Sequence, residues 1–477
     1  MIVRLSQEGQ MGHPSDRRDF LKTLGGAVVA PCMLRTAGTM GSAFSSAFAL
    51  PRNPLILGAD PVPNQPVGAA KGLHPGQVVW AHDPNATAWA GPGQGHWWES
   101  DRTNQKVVDR MMSQAIQALS GKGGDAIAWD RIFIYFNQSH GNGQTGYRKG
   151  EKLTIKVNLV GCLAGGAVDP KTYDMAHDLD YMNASPQMIL ALLRQLVHEA
   201  GVPEQHISVG DPLSLFPNQF YGPLHSEFPH VHYLDHDGGN ATYPRTRVQY
   251  SSIPFYWSSR PPGAAQDYVP LHYVEANYLI NMANLKAHTG AGVTLCAKNH
   301  FGSLIRRPPD KGYYDMHKSL PMAVHGTGQY RDLVDLMGHA ETGGKTLLCL
   351  IDGLYPGVHP TEHAPRKFSS APFNGHWASS LLASQDPVAI DSVAIDFLRA
   401  EWNDYPHMSG ADDYLHEAAL ADHPPSGTFY DPDHASGTTR LQSLGVHEHW
   451  NNPRQKQYSR NLGKAEGIEL VRVGQAG

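Results

Sequence analysis

Cysteine is scarce: four in 477 residues, at Cys32, Cys162, Cys296 and Cys349, with no two close enough to make a CxxC pair. Cysteine-built zinc sites and iron–sulfur clusters draw their ligands from such pairs, so an iron–sulfur centre is not expected. Also absent is the run of about 18 apolar residues that would span a bilayer, so the mature chain is expected to have no membrane span. Nor is there a basic cluster. The 38 Lys and Arg are interspersed among 44 Asp and Glu, giving a net charge of −6. Nucleic acid is therefore excluded as the main partner, since phosphate binding relies on clustered positive charge. Nucleotide and hydrolase signatures fail on context. Gly141-Asn-Gly143-Gln-Thr-Gly146 fits GxGxxG by letter, yet a strand follows it and not the helix that must face a pyrophosphate. Gly343-Gly-Lys345-Thr346 has the wrong glycine spacing for a phosphate loop, and no GxSxG or HExxH occurs.

What is present begins with an address. Asp16-Arg17-Arg18-Asp19-Phe20-Leu21-Lys22, a weakly apolar stretch from Thr23 to Leu34 and the small-residue box Ala47-Phe48-Ala49 together resemble a twin-arginine signal peptide over residues 1–49. Its implied partner is the twin-arginine export machinery, and its implied destination is periplasmic or extracellular. Residues 50–477 read as a single α/β domain. The apolar share of 41% suits an ordinary globular chain.

Local patterns give the layout. Val107, Val108, Met111, Met112, Ala115, Ile116 and Leu119 recur at helical spacing from Asn104 to Leu119. Leu153, Ile155, Val157 and Leu159 alternate along a strand, which puts Lys156 and Asn158 together on its other face. Ser185-Pro186 opens a helix that Gly201 ends, and His206 to Asp211 is a strand running to a turn. Strand, helix and strand in alternation predict a mainly parallel sheet with helices on both faces. Residues 212–270, lacking sustained periodicity, read as a long irregular insertion from the sheet. Thr346 to Gly353 reads as a buried strand, and His376 to Glu401 as a strand turning into a helix. From Asp404 onward the chain is a loop-rich cover. Cys162, Cys296 and Cys349 lie in apolar contexts and read as core residues, with a disulfide left open in an oxidising compartment.

The stretch from Tyr278 to Gly302 organises the rest. A hydrophobic strand there runs into Asn281, Lys286, His288, Thr294, Lys298, Asn299 and His300, and two buried lysines require a ligand, acids or water as partners. Asn158, Asp211, His288, Asp352 and Asp386 fall at predicted strand ends, where open α/β sheets bind ligands. Lys156 and Lys298 with Asn158 and Asn299 are suited to an anionic small molecule, against the plain alternative of structural ion pairs. His288 is a candidate proton carrier or metal ligand, and Asp352 a catalytic carboxylate or simply an Asp-Gly turn. Asp386 before Pro387 reads as a helix cap. Among the 27 histidines, His230-Val-His232 and His447-Glu-His449 have metal-compatible spacing without a further ligand attached by sequence.

Taken jointly, Ile155-Lys156-Val157-Asn158-Leu159, Asn284-Leu-Lys286-Ala-His288, Lys298-Asn299-His300-Phe301-Gly302, Ile351-Asp352-Gly353 and Ala383-Ser-Gln-Asp386-Pro-Val-Ala-Ile-Asp391 resemble the domain of unknown function 362 family, over about residues 150–420. The resemblance implies an α/β domain in which Lys156, Asn158, Lys286, His288, Lys298, Asn299, Asp352, Asp386 and Asp391 act as a set. Many relatives add a ferredoxin-like cysteine-rich module, which hints at redox work; this chain has none. The expected function is an exported enzyme: His288, Lys298, Lys156 and Asp352 as catalytic residues, Asn158, Lys286 and Asn299 on an anionic ligand, and His288, Asp352 and Asp391 as candidates for a divalent metal. The rivals are a periplasmic protein that binds such a ligand without chemistry and a structural envelope component. The cofactor stays open.

Overall fold

The computed structural model describes residues 62–121, 123–163, 167–258, 267–288, 291–304, 328, 330–358, 364–402, 411–435 and 437–474. The leader expected over residues 1–49 lies outside them. Ten strands form the main sheet: β1 Gln77–His82, β2 Leu153–Val157, β3 Ile207–Gly210, β4 His232–Asp235, β5 Thr246–Arg247, β6 Tyr278–His288, β7 Gly292–Thr294, β8 Thr346–Gly357, β9 Ser380–Ser384 and β10 Glu469–Gly474. The helices used below are α1 Gln105–Ser120, α2 Asp125–Ser139, α3 Pro186–Arg194, α4 Asn218–Glu227, α5 Cys296–Asn299, α6 Arg331–Gly338, α7 Pro387–Glu401 and α8 Ala411–Ala419.

Strand order is β10-β1-β9-β8-β6-β2-β3-β4-β5, with β7 folded back antiparallel on β6. Along that path every strand runs the same way except β9, which is antiparallel to both β1 and β8. Helices cover both faces. Met112 of α1, Ile132 of α2, Leu192 of α3 and Phe220 of α4 share one core with Ile155, Ile280 and Leu350 of the sheet. Leu333 of α6, Val393 of α7 and Leu415 of α8 share the other with Ala283, Leu285 and Ile351. This is the mainly parallel α/β architecture that the alternation predicts. No helix among the described residues is long and apolar enough to cross a membrane.

Three parts differ from the sequence reading. The stretch before α1 supplies β1, the presumed insertion at 212–270 supplies α4, β4 and β5, and the loop-rich tail supplies α8 and the edge strand β10. Each of these strands is two to six residues long. A run so short carries little periodicity, and pairing with a neighbour decides its conformation. Cys162, Cys296 and Cys349 are buried thiols outside any disulfide.

The direction of β9 moves Asp386 to the other end of the sheet from the ends of β2, β3, β6 and β8. There it caps α7 and ties three chain segments together. Its carboxylate accepts from Val388 N at 3.1 Å and Ala389 N at 2.9 Å, and also from Lys71 N at 2.8 Å and Val446 N at 3.2 Å. Pro387 occupies the first helical position. Asp386→Ala would orphan four donors, three of them buried, and is expected to lower stability by about 3–5 kcal/mol, read by urea denaturation. A loss below about 1 kcal/mol would mean that water replaces the carboxylate.

Candidate functional site

The carboxyl ends of β2, β3, β6 and β8 carry a connected polar network in two halves, one on each face of the sheet. On the first face lies Lys156, completely buried. Its ammonium donates to Val157 O at 2.6 Å and Asn299 Oδ1 at 3.0 Å, and pairs with Asp211 Oδ2 at 3.1 Å. All three N–H bonds are thereby used. Burial lowers the Lys156 pKa and Asp211 pulls it back up. Asp211 follows β3 and also accepts from Leu159 N at 2.9 Å. Asn299 joins the two halves: its Oδ1 also accepts from Asn158 Nδ2 at 3.1 Å, and its Nδ2 donates to Asn281 Oδ1 at 2.7 Å and Met282 O at 3.2 Å. Gly302 passes so close that an added methyl would collide with Asp211 Oδ1 and come within 3.0 Å of Lys156 Nζ. The ion pair therefore requires glycine there.

His300 belongs to the scaffold. Asn281 Nδ2 donates to its Nε2 at 3.0 Å, so Nδ1 carries the proton toward Ser303 Oγ at 3.0 Å. Burial and then Lys156 pull its pKa down to about 3.

On the opposite face, alternation along β6 aligns Asn284, Lys286 and His288. Register places Thr294 of β7 across from Lys286, and Asp352 of β8 beside Asn284. Lys286 Nζ donates to Asn158 Oδ1 at 2.8 Å and to Met182 O at 3.1 Å, which are its hydrogen-bond acceptors among the described residues. Burial brings its pKa down to about 7, with Asp211 raising it and Lys156 lowering it further. An amine at that value is half neutral at neutral pH. Next to it, the buried Asn284 Oδ1 and Thr294 Oγ1 have no hydrogen-bond partner among the described residues. Such atoms lose about 1–3 kcal/mol each unless something fills them.

The other expected residues take distinct places. Asp352 accepts from Ser185 N at 2.7 Å, holding the start of α3, and from Leu354 N at 2.9 Å. Burial raises its pKa against these donors. His288 is nearly buried, and its Nδ1 accepts from Ala291 N at 3.1 Å across the β6–β7 turn. The Lys298 ammonium sits 3.6 Å above the Phe301 ring. Asp391, on α7, accepts from Cys296 N at 2.8 Å and Ala297 N at 3.0 Å at the start of α5, and from Tyr414 OH at 3.1 Å. Burial pushes its pKa up to about 6 against these donors.

Lys156, Asn158, Lys286 and Asn299 thus form one bonded network, with His288 and Asp352 on the face of Lys286. Asp391 stands on the other face and organises α5. Among the described residues His288, Asp352 and Asp391 do not come together as a group able to hold an ion. Sequence reasoning left out Asp211 as the counterion of Lys156, and Asn284 and Thr294 as unfilled polar atoms. Gly210-Asp211 at a strand end signals the first, whereas the other two depend on β6–β7 pairing.

No curated protein matches this chain. Residues 172–396, which carry β3 to β9 and every candidate residue except Lys156 and Asn158, match the model of the family described as Domain of unknown function (DUF362), and over that stretch the chain is similar to that family.

Proposed function

We propose that the protein is an exported enzyme that binds a small anionic molecule against Asn284, Lys286 and Thr294 and moves a proton to or from it through Lys286. The observation that supports this most is Lys286 itself: a fully buried amine brought down to about 7, beside two buried polar atoms without partners. A general base works best with a pKa near the operating pH. Protonated, Lys286 also serves as the anion's counterion. Asn284 Oδ1 calls for a donor on the ligand, which favours a hydroxy or amino carboxylate over a bare inorganic anion. Asn158 orients Lys286, and Lys156, already neutralised by Asp211, holds Asn158 through Asn299. His288, on the face of Lys286, is assigned to proton transfer at the β6–β7 turn. Arg17-Arg18 and the segment behind them are assigned to twin-arginine export, so the site would work in the periplasm or outside the cell.

Thermal denaturation of the exported protein against a panel of hydroxy, amino and phosphorylated carboxylates tests the reading. A ligand at 100 times its Kd adds about 2.7 kcal/mol to stability. The expected hit raises the melting temperature of the native protein, fails to do so in Asn284→Leu and Thr294→Val, and is converted with a pH inflection near the Lys286 value. Stoichiometric retention without conversion would replace the enzyme with a periplasmic binding protein. If no anion acts on the native protein, or if both variants respond like it, the site is misassigned.

A further inference from the structure

His447-Glu-His449 has a spacing that brings two imidazoles together on an extended chain, and the fold adds a third ligand from a distant segment. One ligand atom from each of His447, His449 and Asp412 lies within 4.8 Å of the others, and the buried atoms that each leaves without a hydrogen-bond partner among the described residues are His447 Nε2, His449 Nε2 and Asp412 Oδ1. Both imidazoles are nearly inaccessible. His449 Nε2 is 3.2 Å from Asp412 Oδ1, but without hydrogen-bond geometry.

The surroundings set the ring tautomers. Ser392 Oγ donates its proton to Val388 O at 2.7 Å, so toward His447 Nδ1, 2.8 Å away, it can only accept. His447 Nδ1 therefore carries the ring proton, and Nε2 presents a bare lone pair to the cluster. Asp396 likewise holds the Nδ1 proton of His449, with Oδ1 2.6 Å from Nδ1. Asp396 is itself fixed by Trp450 N at 3.0 Å and Tyr458 OH at 2.9 Å. A carboxylate behind a histidine, leaving its far nitrogen exposed to a shared point, is the usual outer support of a metal ligand. The remaining neighbours are Arg399, paired with Asp412 Oδ2 at 2.5 Å, and His416, whose Nδ1 bonds Asp412 O at 2.9 Å.

We propose that Asp412, His447 and His449 bind one divalent transition-metal ion of the zinc class, pinning the C-terminal segment to α7 and α8. Two imidazoles and one carboxylate suit Zn(II) better than the oxygen-seeking Ca(II) or Mg(II). Ligands at about 2.0–2.1 Å from zinc stand about 3.3 Å apart in a tetrahedron, so loading draws the three side chains inward and leaves a fourth position for water. The competing state is a His449 imidazolium, favoured by both carboxylates, with its Nδ1 proton on Asp396 and its Nε2 proton directed at Asp412; it would leave the His447 lone pair unfilled.

The test is metal titration of the full exported protein after chelator treatment. Zn(II) should bind at one equivalent and raise the melting temperature, and Co(II) should give the visible bands of a tetrahedral site with nitrogen and oxygen ligands. His447→Ala and Asp412→Asn should each weaken binding at least about 100-fold, and Asp396→Asn about 10–100-fold. His423→Ala, on the exposed surface, should change nothing. Where a variant fails to fold, the Co(II) spectrum of the unaltered protein decides. Absence of stoichiometric Zn(II) and Co(II) binding by the folded native protein, or binding unchanged in every folded ligand variant, overturns the site in favour of the protonated ion pair.

Discussion

Asp211→Ala is expected to remove about 3–5 kcal/mol of stability, the usual cost of leaving a buried charge without its partner. Lys156 has no exposure, and its other acceptors are neutral oxygens of Val157 and Asn299. The same substitution orphans Leu159 N. Because Asn299 connects Lys156 to Asn158 and Asn158 holds Lys286, the damage should reach the proposed ligand face as well. Chemical denaturation gives the stability, and ligand-induced melting shifts give the effect on the site. Asp211→Asn, retaining the shape and one acceptor for Leu159 N, should cost less than Asp211→Ala. Equal and small losses in both would mean that Lys156 is neutral in the folded protein.

Lys286→Met is expected to abolish turnover and to make the protein more stable at neutral and acid pH. An unfolded lysine titrates near 10.4, whereas Lys286 in the fold titrates at about 7. Between those values the unfolded chain holds the proton more readily, so native stability rises with pH, by up to about 1.4 kcal/mol per unit from this group. Below the folded value both states carry the proton, and the penalty for burying it is at its largest. Met removes that penalty and fills similar volume, although it also gives up the bonds to Asn158 Oδ1 and Met182 O. Its gain should therefore be greatest at about pH 6 and shrink toward about pH 10. Urea midpoints for both proteins across that range measure it. Parallel pH profiles would show that Lys286 does not titrate between those limits and would remove it as the base.

The two lysines also show how much chemistry can be read along a chain. Alternation in β2 puts Lys156 and Asn158 on the same side as each other, and this is legible from five residues. That Lys156 is saturated by Asp211, Asn299 and a carbonyl while Lys286 retains bonding capacity is not legible, because apart from the adjacent Val157 carbonyl their partners lie 55 to 143 positions away. The sequence reading pairs Lys156 with Lys298 on the anion and places Lys286 among the ligand-binding residues, and only those partners reverse the emphasis. The strand-end rule likewise gathers Asn158, Asp211 and His288, but Asp352 lies within β8, five residues before its end, and Asp386 is sent astray, since a strand's length and direction depend on the neighbour it pairs with.

From sequence alone came the α/β class with helices on both faces, the helices α1, α3 and α7 with the caps of the latter two, the polar character of the 278–302 stretch and the expectation of no cysteine-built centre. These depend on patterns within one helix turn or one strand, where side-chain spacing and backbone geometry are coupled directly. Tertiary structure decided the short strands β1, β4, β5 and β10, the reversal of β9, the division of the lysines into scaffold and site, and the meeting of Asp412 with His447 and His449. Each of those is an encounter between segments far apart in the chain, settled by which buried groups find partners once the two cores close.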